Sequence, residues 1–423
     1  MKRGAWRILL AAIGIGVVNA VVFKVFEYVV NHGSNWLWND VFNSDERRWV
    51  VVPLAIGLSL VLTLVLRVLR QKRWQQPVTD LFSQEQPKQP RRTTVAEIGS
   101  ILAQGAASLL AGASLGPEMS LTESSKAIGK WSGEKLQLEA GAAAVLVAAS
   151  IGALMVAFLG SMLMVLLPLA LVYKQAKRLP LAAVVPIVLA SLSAFGTLWL
   201  MDHRTEGYGT IPVTPHAAVH DYAAAVVVAL CISVAALGLL KLIGWLGDVT
   251  RRLDLDWPWY ASAALFGLVL GLLYWIGGQP VEFSGSAGTK LLLSNTAHYT
   301  TWAFLGIAVV KLLATAWSKT TGYRGGLFFP SIFVGVAIGL FVEGLDSKLS
   351  GAGAMVGAIA AIFTALSIPV KPKNRRDYAT AVFGAFLIMA ALLPFKLMPL
   401  AAVAIVAAVV GNKALLKVVP SNG

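Results

Sequence analysis

Long apolar runs recur along this chain of 423 residues, and they constrain its fold more than any other feature. A helix that crosses a lipid bilayer needs about 20 mostly apolar residues. The candidate spans are Trp6–Val30, Val50–Leu69, Val145–Val172, Leu179–Met201, Ala223–Leu246, Trp259–Ile276, Thr301–Trp317, Gly326–Val342, Met355–Ile368, Tyr378–Leu393 and Leu397–Val410. The sequence therefore predicts an all-α polytopic membrane protein.

Composition excludes the main soluble classes of protein. The chain is 57% hydrophobic and 13% charged, whereas soluble domains carry about 25% charged residues. The net charge of +14 does not indicate nucleic-acid binding, because the basic residues cluster in short loops beside apolar spans, as the positive-inside rule describes. We expect no enzymatic activity, no cofactor and no metal site.

The distribution of charge also predicts orientation and domain organisation. Lys2, Arg3 and Arg7 precede the first span, so we expect a cytoplasmic N-terminus. We expect residues 1–423 to form a single membrane domain without a soluble regulatory domain after it. Its two halves are predicted at about 6–201 and 223–416, with a polar cytoplasmic linker at about 71–97.

Two glycine-rich breaks interrupt the apolar pattern, one in each half. They are Gly112-Ala-Ser-Leu-Gly-Pro-Glu118 and Gly322-Tyr-Arg-Gly-Gly-Leu-Phe-Phe-Pro330, about 210 residues apart. Several of the predicted spans are also short, which favours broken or re-entrant helices covered by protein or water. Repeated halves that place their broken helices at one substrate site are a common plan for transporters.

Glu118 is the ionisable residue of the first break. Pro117 suits the first turn of a helix, and the free N–H groups at a helix start favour an anion. A tethered carboxylate there occupies the anion site until protonation or a competing anion displaces it, so Glu118 is a candidate gate. The alternative is an acid in the first turn that stabilises its own helix.

In the second break, glycines precede an apolar helix, and the backbone at Leu327 and Phe328 is open to a ligand. Two helix starts, one from each half, then converge on one dehydrated anion without binding it too tightly for passage. The alternative is helix packing through small residues.

At these residues the chain resembles the CLC family of chloride channels and proton/chloride antiporters, closest to its divergent bacterial ion-transport members. The family motif G(K/R)EGP corresponds to Gly116-Pro117-Glu118-Met119-Ser120, and GxFxP corresponds to Gly326-Leu327-Phe328-Phe329-Pro330. The resemblance implies two inverted, interlocked halves with broken and re-entrant helices, a homodimer in the bilayer of a bacterial inner membrane, and chloride or a similar anion as the substrate. It implies gating by Glu118 and anion binding at Gly116, Met119, Gly326, Leu327 and Phe328.

The chain departs from the family pattern at several places. The motif with the chloride-binding serine aligns only by order of elements, near Trp74, and Leu416 stands where the family has a tyrosine. The inner proton-transfer glutamate falls near Ala170 or Leu171, and neither is acidic. We therefore predict passive, channel-like movement of anions gated by Glu118, with a proton-coupled antiporter as the alternative. The second motif has the chloride form and not a fluoride form.

Two hypotheses from other classes remain. Gly112-Ala-Ser114-Leu-Gly116 fits G-x-S-x-G, the pattern of a hydrolase nucleophile, but that mechanism needs a preceding strand and a histidine base. A small residue in a glycine-rich break accounts for Ser114 more simply. An assembly protein without transport activity is the other alternative, and it needs neither broken helices nor an acid at a helix start.

Overall fold

The chain is mainly helical in the residues that the computed structural model describes, which are 5–68, 93–202, 218–345, 351–367 and 375–418. No β-strand occurs in these ranges. The helices are α1 (Ala5–Asn35), α2 (Val51–Val68), α3 (Val95–Leu110), α4 (Glu118–Lys135), α5 (Ala140–Leu159), α6 (Leu166–Ala176), α7 (Leu181–Asp202), α8 (Val219–Asp256), α9 (Trp259–Gly277), α10 (Ser286–Ser294), α11 (Thr301–Thr320), α12 (Phe328–Leu345), α13 (Gly351–Ser367), α14 (Arg375–Leu392) and α15 (Met398–Val418).

Nine helical segments of the described part are long and apolar enough to cross a membrane. They contain α1, α2, α5, α7, α8, α9, α11, α12 and α15. The outer surface of the helices carries large apolar side chains such as Leu10, Val61 and Trp302. A surface of this kind suits lipid and not water, and the predicted all-α membrane fold is confirmed.

One predicted span is wrong. The run Val145–Val172 is two helices, because α5 ends at Leu159 and α6 begins at Leu166. Gly160 follows α5 in the left-handed conformation, with φ of 64°. A glycine in that conformation ends a helix at little steric cost. Hydropathy conceals the break because the residues around it are almost all apolar.

The polar linker ends earlier than predicted. Helix α3 begins at Val95, and the side chain of Thr94 accepts a hydrogen bond from the Glu97 N–H at 3.2 Å. A threonine in this position satisfies a free N–H of the first turn. Residues 95–97 are therefore helical, and residues 71–92 of the predicted linker lie outside the described ranges.

The two halves repeat one packing plan. In the first half α1 packs on α7, α4 on α5, and α5 on α7. In the second half α8 packs on α15, α12 on α13, and α13 on α15. Contacts of α2 with α9 and of α6 with α14 join the halves. This plan brings the starts of α4 and α12 together inside the protein.

Candidate functional site

The two glycine-rich breaks meet inside the protein, where Gly116 and Gly326 are buried. The N–H of Gly116 donates to the carbonyl of Gly326 at 2.8 Å, and the N–H of Gly326 donates to the carbonyl of Gly116 at 2.7 Å. These two bonds form an isolated antiparallel bridge between the halves. The starts of α4 and α12 therefore lie side by side, two residues after each glycine.

Two serines extend this junction with matching hydrogen bonds. The Ser114 N–H donates to Ser318 Oγ at 3.0 Å, and the Arg324 N–H donates to Ser108 Oγ at 2.9 Å. Ser318 lies 210 positions after Ser108, as Arg324 does after Ser114 and Gly326 after Gly116. The contacts are unchanged when the halves are exchanged, as a two-fold axis between two repeats requires. The predicted plan of two repeated halves is thus visible residue by residue.

The carboxylate of Glu118 occupies the start of α12. Its Oε1 accepts a hydrogen bond from the Phe328 N–H at 2.6 Å. Glu118 is only 3% exposed, and within the described part of the chain its Oε2 has no hydrogen-bond partner. The free N–H groups and the dipole at the start of the 18-residue helix α12 favour a negative group at this position.

The absence of side chains on two glycines makes room for this carboxylate. A Cβ atom at Gly326 would lie 2.1 Å from Glu118 Oε1, and one at Gly116 would lie 2.0 Å from Oε2. Atoms of real side chains do not approach so closely. A cavity for one small anionic group is therefore built from two backbone segments, one from each half.

Aromatic rings close the site on one side. The Phe328 ring lies 5.6 Å from that of Phe158 and 4.9 Å from that of Phe363, measured between centroids. Phe158, Phe328 and Phe363 are all buried. These rings exclude water, and in such surroundings hydrogen bonds from N–H groups to an anion become stronger.

The structure brings together most of the residues that the sequence assigned to the site. The Glu118 carboxylate is buried, and around it lie three more buried residues of the predicted site: Gly116, Gly326 and Phe328. Of the two amides predicted to bind an anion, that of Phe328 donates to Glu118. Leu327 precedes this amide and is partly buried.

Met119 contacts a residue that sequence reasoning missed. The Nζ of Lys319 lies 3.6 Å from Met119 Sδ and donates to the Gly325 carbonyl at 3.3 Å. Lys319 is buried, and its charge acts on that of Glu118. In the sequence it resembles a flanking charge at the end of an apolar span, so its position gave no signal of a role in the site.

Other departures from the family pattern fall partly outside the described residues. Trp74 lies outside them, and Leu416 belongs to α15 but its side chain is not described. Ala170 and Leu171 lie on α6, whose sequence Leu-Leu-Pro-Leu-Ala-Leu-Val-Tyr-Lys-Gln-Ala contains no acid.

The hydrolase hypothesis gains nothing from the geometry of Ser114. Ser114 is fully buried, and its Oγ lies 3.1 Å from Thr315 Oγ1. A threonine hydroxyl is not a general base at neutral pH, and the segment before the break is the helix α3 instead of a strand. The serine joins the two halves.

Comparison with known proteins identifies the family. Residues 78–419, most of the chain, match the sequence profile described as voltage gated chloride channel. The chain belongs to this family. A relative in Escherichia coli O1:K1, with the name "Putative ion-transport protein YfeO", is 43% identical over 77 residues, which are 18% of this chain and 18% of the relative. The protein with the same name in E. coli K12 / DH10B is 42% identical over the same length.

Solved structures of this family share the fold. A slow cyanobacterial Cl⁻/H⁺ antiporter superposes with a TM-score of 0.76 at 16% identity, over 97% of this chain and 95% of the antiporter. A CLC-type fluoride/proton antiporter gives a TM-score of 0.70 at 16% identity, over 96% and 95% of the two chains. A eukaryotic CLC transporter gives 0.66 at 11% identity, over 97% and 74%.

Membership of the CLC family places the chain in a class of membrane transport proteins. The family consists of channels and transporters of anions, and not of enzymes. With its many apolar helices, this CLC protein is an integral, multi-pass membrane protein.

Proposed function

We propose that this CLC protein moves chloride or a similar small anion passively across a bacterial inner membrane, and that Glu118 gates the passage. The observation that carries this proposal is the 2.6 Å hydrogen bond between the Phe328 N–H and Glu118 Oε1. In this arrangement the carboxylate occupies the position of a transported anion.

Physical chemistry of the site supports an anion as its natural occupant. Backbone N–H groups at a helix start bind anions with partial charges only. Such binding is strong enough for entry and weak enough for release, which conduction requires. A carboxylate on a side chain competes for the same N–H groups, so the site opens when Glu118 is protonated or moves away.

Passive movement is favoured over proton coupling by the composition of α6. A proton relay across a membrane protein uses buried ionisable groups. At the position on α6 that aligns with the family's inner proton-transfer glutamate, this chain has Ala170 and Leu171, which cannot carry a proton. Proton-coupled exchange is the second candidate, because the buried Glu118 is itself able to carry a proton.

Chloride efflux from liposomes tests the proposal. Purified protein is reconstituted with a potassium gradient and valinomycin to clamp the voltage, and an internal dye reports pH. We expect chloride efflux with no change in the dye signal. We expect Glu118→Gln, a neutral residue of the same shape, to remove the pH dependence of efflux, whereas Glu139→Gln at the exposed start of α5 leaves it unchanged.

Each other outcome has a definite meaning. Proton movement driven by the chloride gradient would show the antiporter instead of the passive pathway. An unchanged pH dependence in Glu118→Gln would refute the gate. A folded protein without flux of any anion would refute the transport function.

We further propose a cytoplasmic N-terminus and a homodimer. The basic residues Lys2, Arg3 and Arg7 before α1 support the orientation through the positive-inside rule. The resemblance to the CLC family supports the dimer. Light scattering from the preparation used for efflux is expected to give twice the chain mass of 44.9 kDa.

A further inference from the structure

Lys319 is a buried cation beside the site occupied by Glu118. It is 9% exposed, and its Nζ contacts two neutral acceptors, the Gly325 carbonyl at 3.3 Å and Met119 Sδ at 3.6 Å. Among the described residues no carboxylate lies within 4.0 Å of it. A buried ammonium with neutral partners alone is expensive in free energy, so it requires a counter-charge nearby.

The repeated architecture shows that the fold does not need a cation at this position. The residue equivalent to Lys319 in the first half, 210 positions earlier, is Leu109. Each is the penultimate residue of its helix, α11 or α3, and Leu109 is buried as well. A leucine therefore fills the corresponding space in the same symmetric junction, and the positive charge is an asymmetric addition of the second half.

Arg324 is a second buried cation near Lys319. The charge of Lys319 acts with those of Glu118 and Glu123. The charge of Glu123 also acts on two more cations, Lys126 and Arg324. Arg324 is buried, and its Nε has no hydrogen-bond partner within the described part of the chain. The surroundings of Lys319 therefore become more positive when Glu118 is protonated or leaves the site.

We propose that Lys319 is an anion-binding residue of the pathway: its ammonium is the counter-charge of the transported anion while Glu118 is out of the site. This inference rests on the proposed function and deepens it. The positive charge balances the Glu118 carboxylate in the closed site and the chloride ion in the open site. Lys319 therefore sets how strongly the open site attracts an anion.

A purely structural role predicts a different behaviour. In that case Lys319 holds the Gly325 carbonyl near the end of α11, where a cation also stabilises the last turn of a helix. Loss of the lysine would then lower thermal stability without a selective effect on anion affinity. The variant Lys319→Arg separates the two roles, because it keeps the positive charge and changes the shape of the side chain.

Chloride binding measured by titration calorimetry tests the proposal. The full-length Glu118→Gln protein in detergent is titrated with potassium chloride at constant ionic strength maintained with gluconate. We expect the added change Lys319→Leu to raise the Kd for chloride by about tenfold or more, because a nearby unit charge in a partly buried site contributes that much. Lys319→Arg is expected to stay within about threefold, since its charge is retained.

Lys130→Gln is the matched control. Lys130 lies on α4 with its side chain 43% exposed and pairs weakly with Glu134, so its loss removes one positive charge away from the site. With Lys130→Gln added to the Glu118→Gln protein, we expect the Kd for chloride to equal that of Glu118→Gln alone. If Lys319→Leu does not yield monodisperse protein, Lys319→Gln takes its place.

The outcomes separate this inference from the proposed function. Equal chloride affinity with lysine and leucine at position 319 would overturn the role of Lys319 and leave the site itself intact. Equal losses in the leucine and arginine variants would overturn it too, since shape and not charge would then matter. No chloride binding by any Glu118→Gln protein, including the Lys130 control, would refute the proposed anion site.

Discussion

At the scale of single residues, the site depends on the missing side chain of Gly326. A Cβ there would lie 2.1 Å from Glu118 Oε1 and 2.3 Å from its Cδ. We expect Gly326→Ala to reduce chloride efflux by about tenfold or more, because the methyl group fills the space that the carboxylate and the anion share. Liposome efflux measures this effect.

Gly306→Ala provides the matched control for this prediction. Gly306 is an exposed residue of α11, and a Cβ there would have no atom within 4 Å. Its efflux is expected to stay within about twofold of the unmodified protein, since the added methyl group displaces no atom and stabilises the helix by only about 1 kcal/mol. Normal efflux through folded Gly326→Ala protein would contradict the account of the site.

Individual site residues differ in how well the sequence predicts them. The burial of Glu118 was predictable because its side chain follows Gly-Pro between apolar segments of a membrane protein. Its role as a gate stays a prediction. The hydrogen bond that Glu118 makes to Phe328 also follows from two helix starts that converge. Lys319 was not predictable, since charge at the end of an apolar span usually faces water, and only the three-dimensional structure buries it beside Met119.

At the scale of elements, an ion pair joins the segment just before α2 to the connection between α9 and α10. Arg48 Nη1 lies 2.5 Å from Glu282 Oε1, and Arg48 Nη2 donates to the Tyr274 carbonyl at 2.8 Å. Glu282 lies outside the spanning helices. Its burial disfavours the charged form and outweighs Arg48, so the pKa of Glu282 rises from 4.5 to about 7.

This pKa predicts how stability depends on pH. Because the pKa of Glu282 is higher in the folded protein than in the unfolded chain, the folded protein binds more protons. The stabilisation is full below about pH 4.5 and is lost as the pH rises to about 7; it amounts to at most about 3 kcal/mol. Thermal unfolding in detergent should therefore give a lower Tm at pH 8 than at pH 5.

Glu282→Gln isolates this contribution. The amide keeps an acceptor for Arg48 and has no charge to bury, so we expect its Tm to change less between pH 5 and pH 8. Glu139→Gln, an exposed residue, is expected to keep the full pH dependence. If Tm changed equally between pH 5 and pH 8 in all three proteins, Glu282 would not be the cause of the pH dependence.

Elements also show where hydropathy fails as a guide. The break at Gly160 stayed hidden because apolar residues lie on both sides of it, although glycine itself was a signal. Helix α10 was missed since its nine residues, Ser-Ala-Gly-Thr-Lys-Leu-Leu-Leu-Ser, are too few and too polar for a span. Helix α4 contains many Ser, Glu and Lys residues, so its hydropathy is too low for a span, although 8 of its 18 residues are buried.

At the scale of the whole molecule, the two halves were predictable in plan and not in detail. The spacing of about 210 residues between the breaks indicated a repeat. The contacts that show it are the two backbone hydrogen bonds between Gly116 and Gly326 and the two bonds that the Ser108 and Ser318 side chains accept from backbone N–H groups. Backbone contacts leave little trace in residue identity, so the similarity between the halves is weak in sequence and clear in structure.

We propose that one small anion replaces the Glu118 carboxylate between the two halves when the site opens. Crystals of Glu118→Gln protein grown in bromide test it most directly, because anomalous scattering locates the ion. We predict a bromide peak within hydrogen-bond distance of the Phe328 N–H, where Oε1 of Glu118 lies in the present structure. An ordered site region without bromide, or bromide bound only elsewhere, would contradict the account.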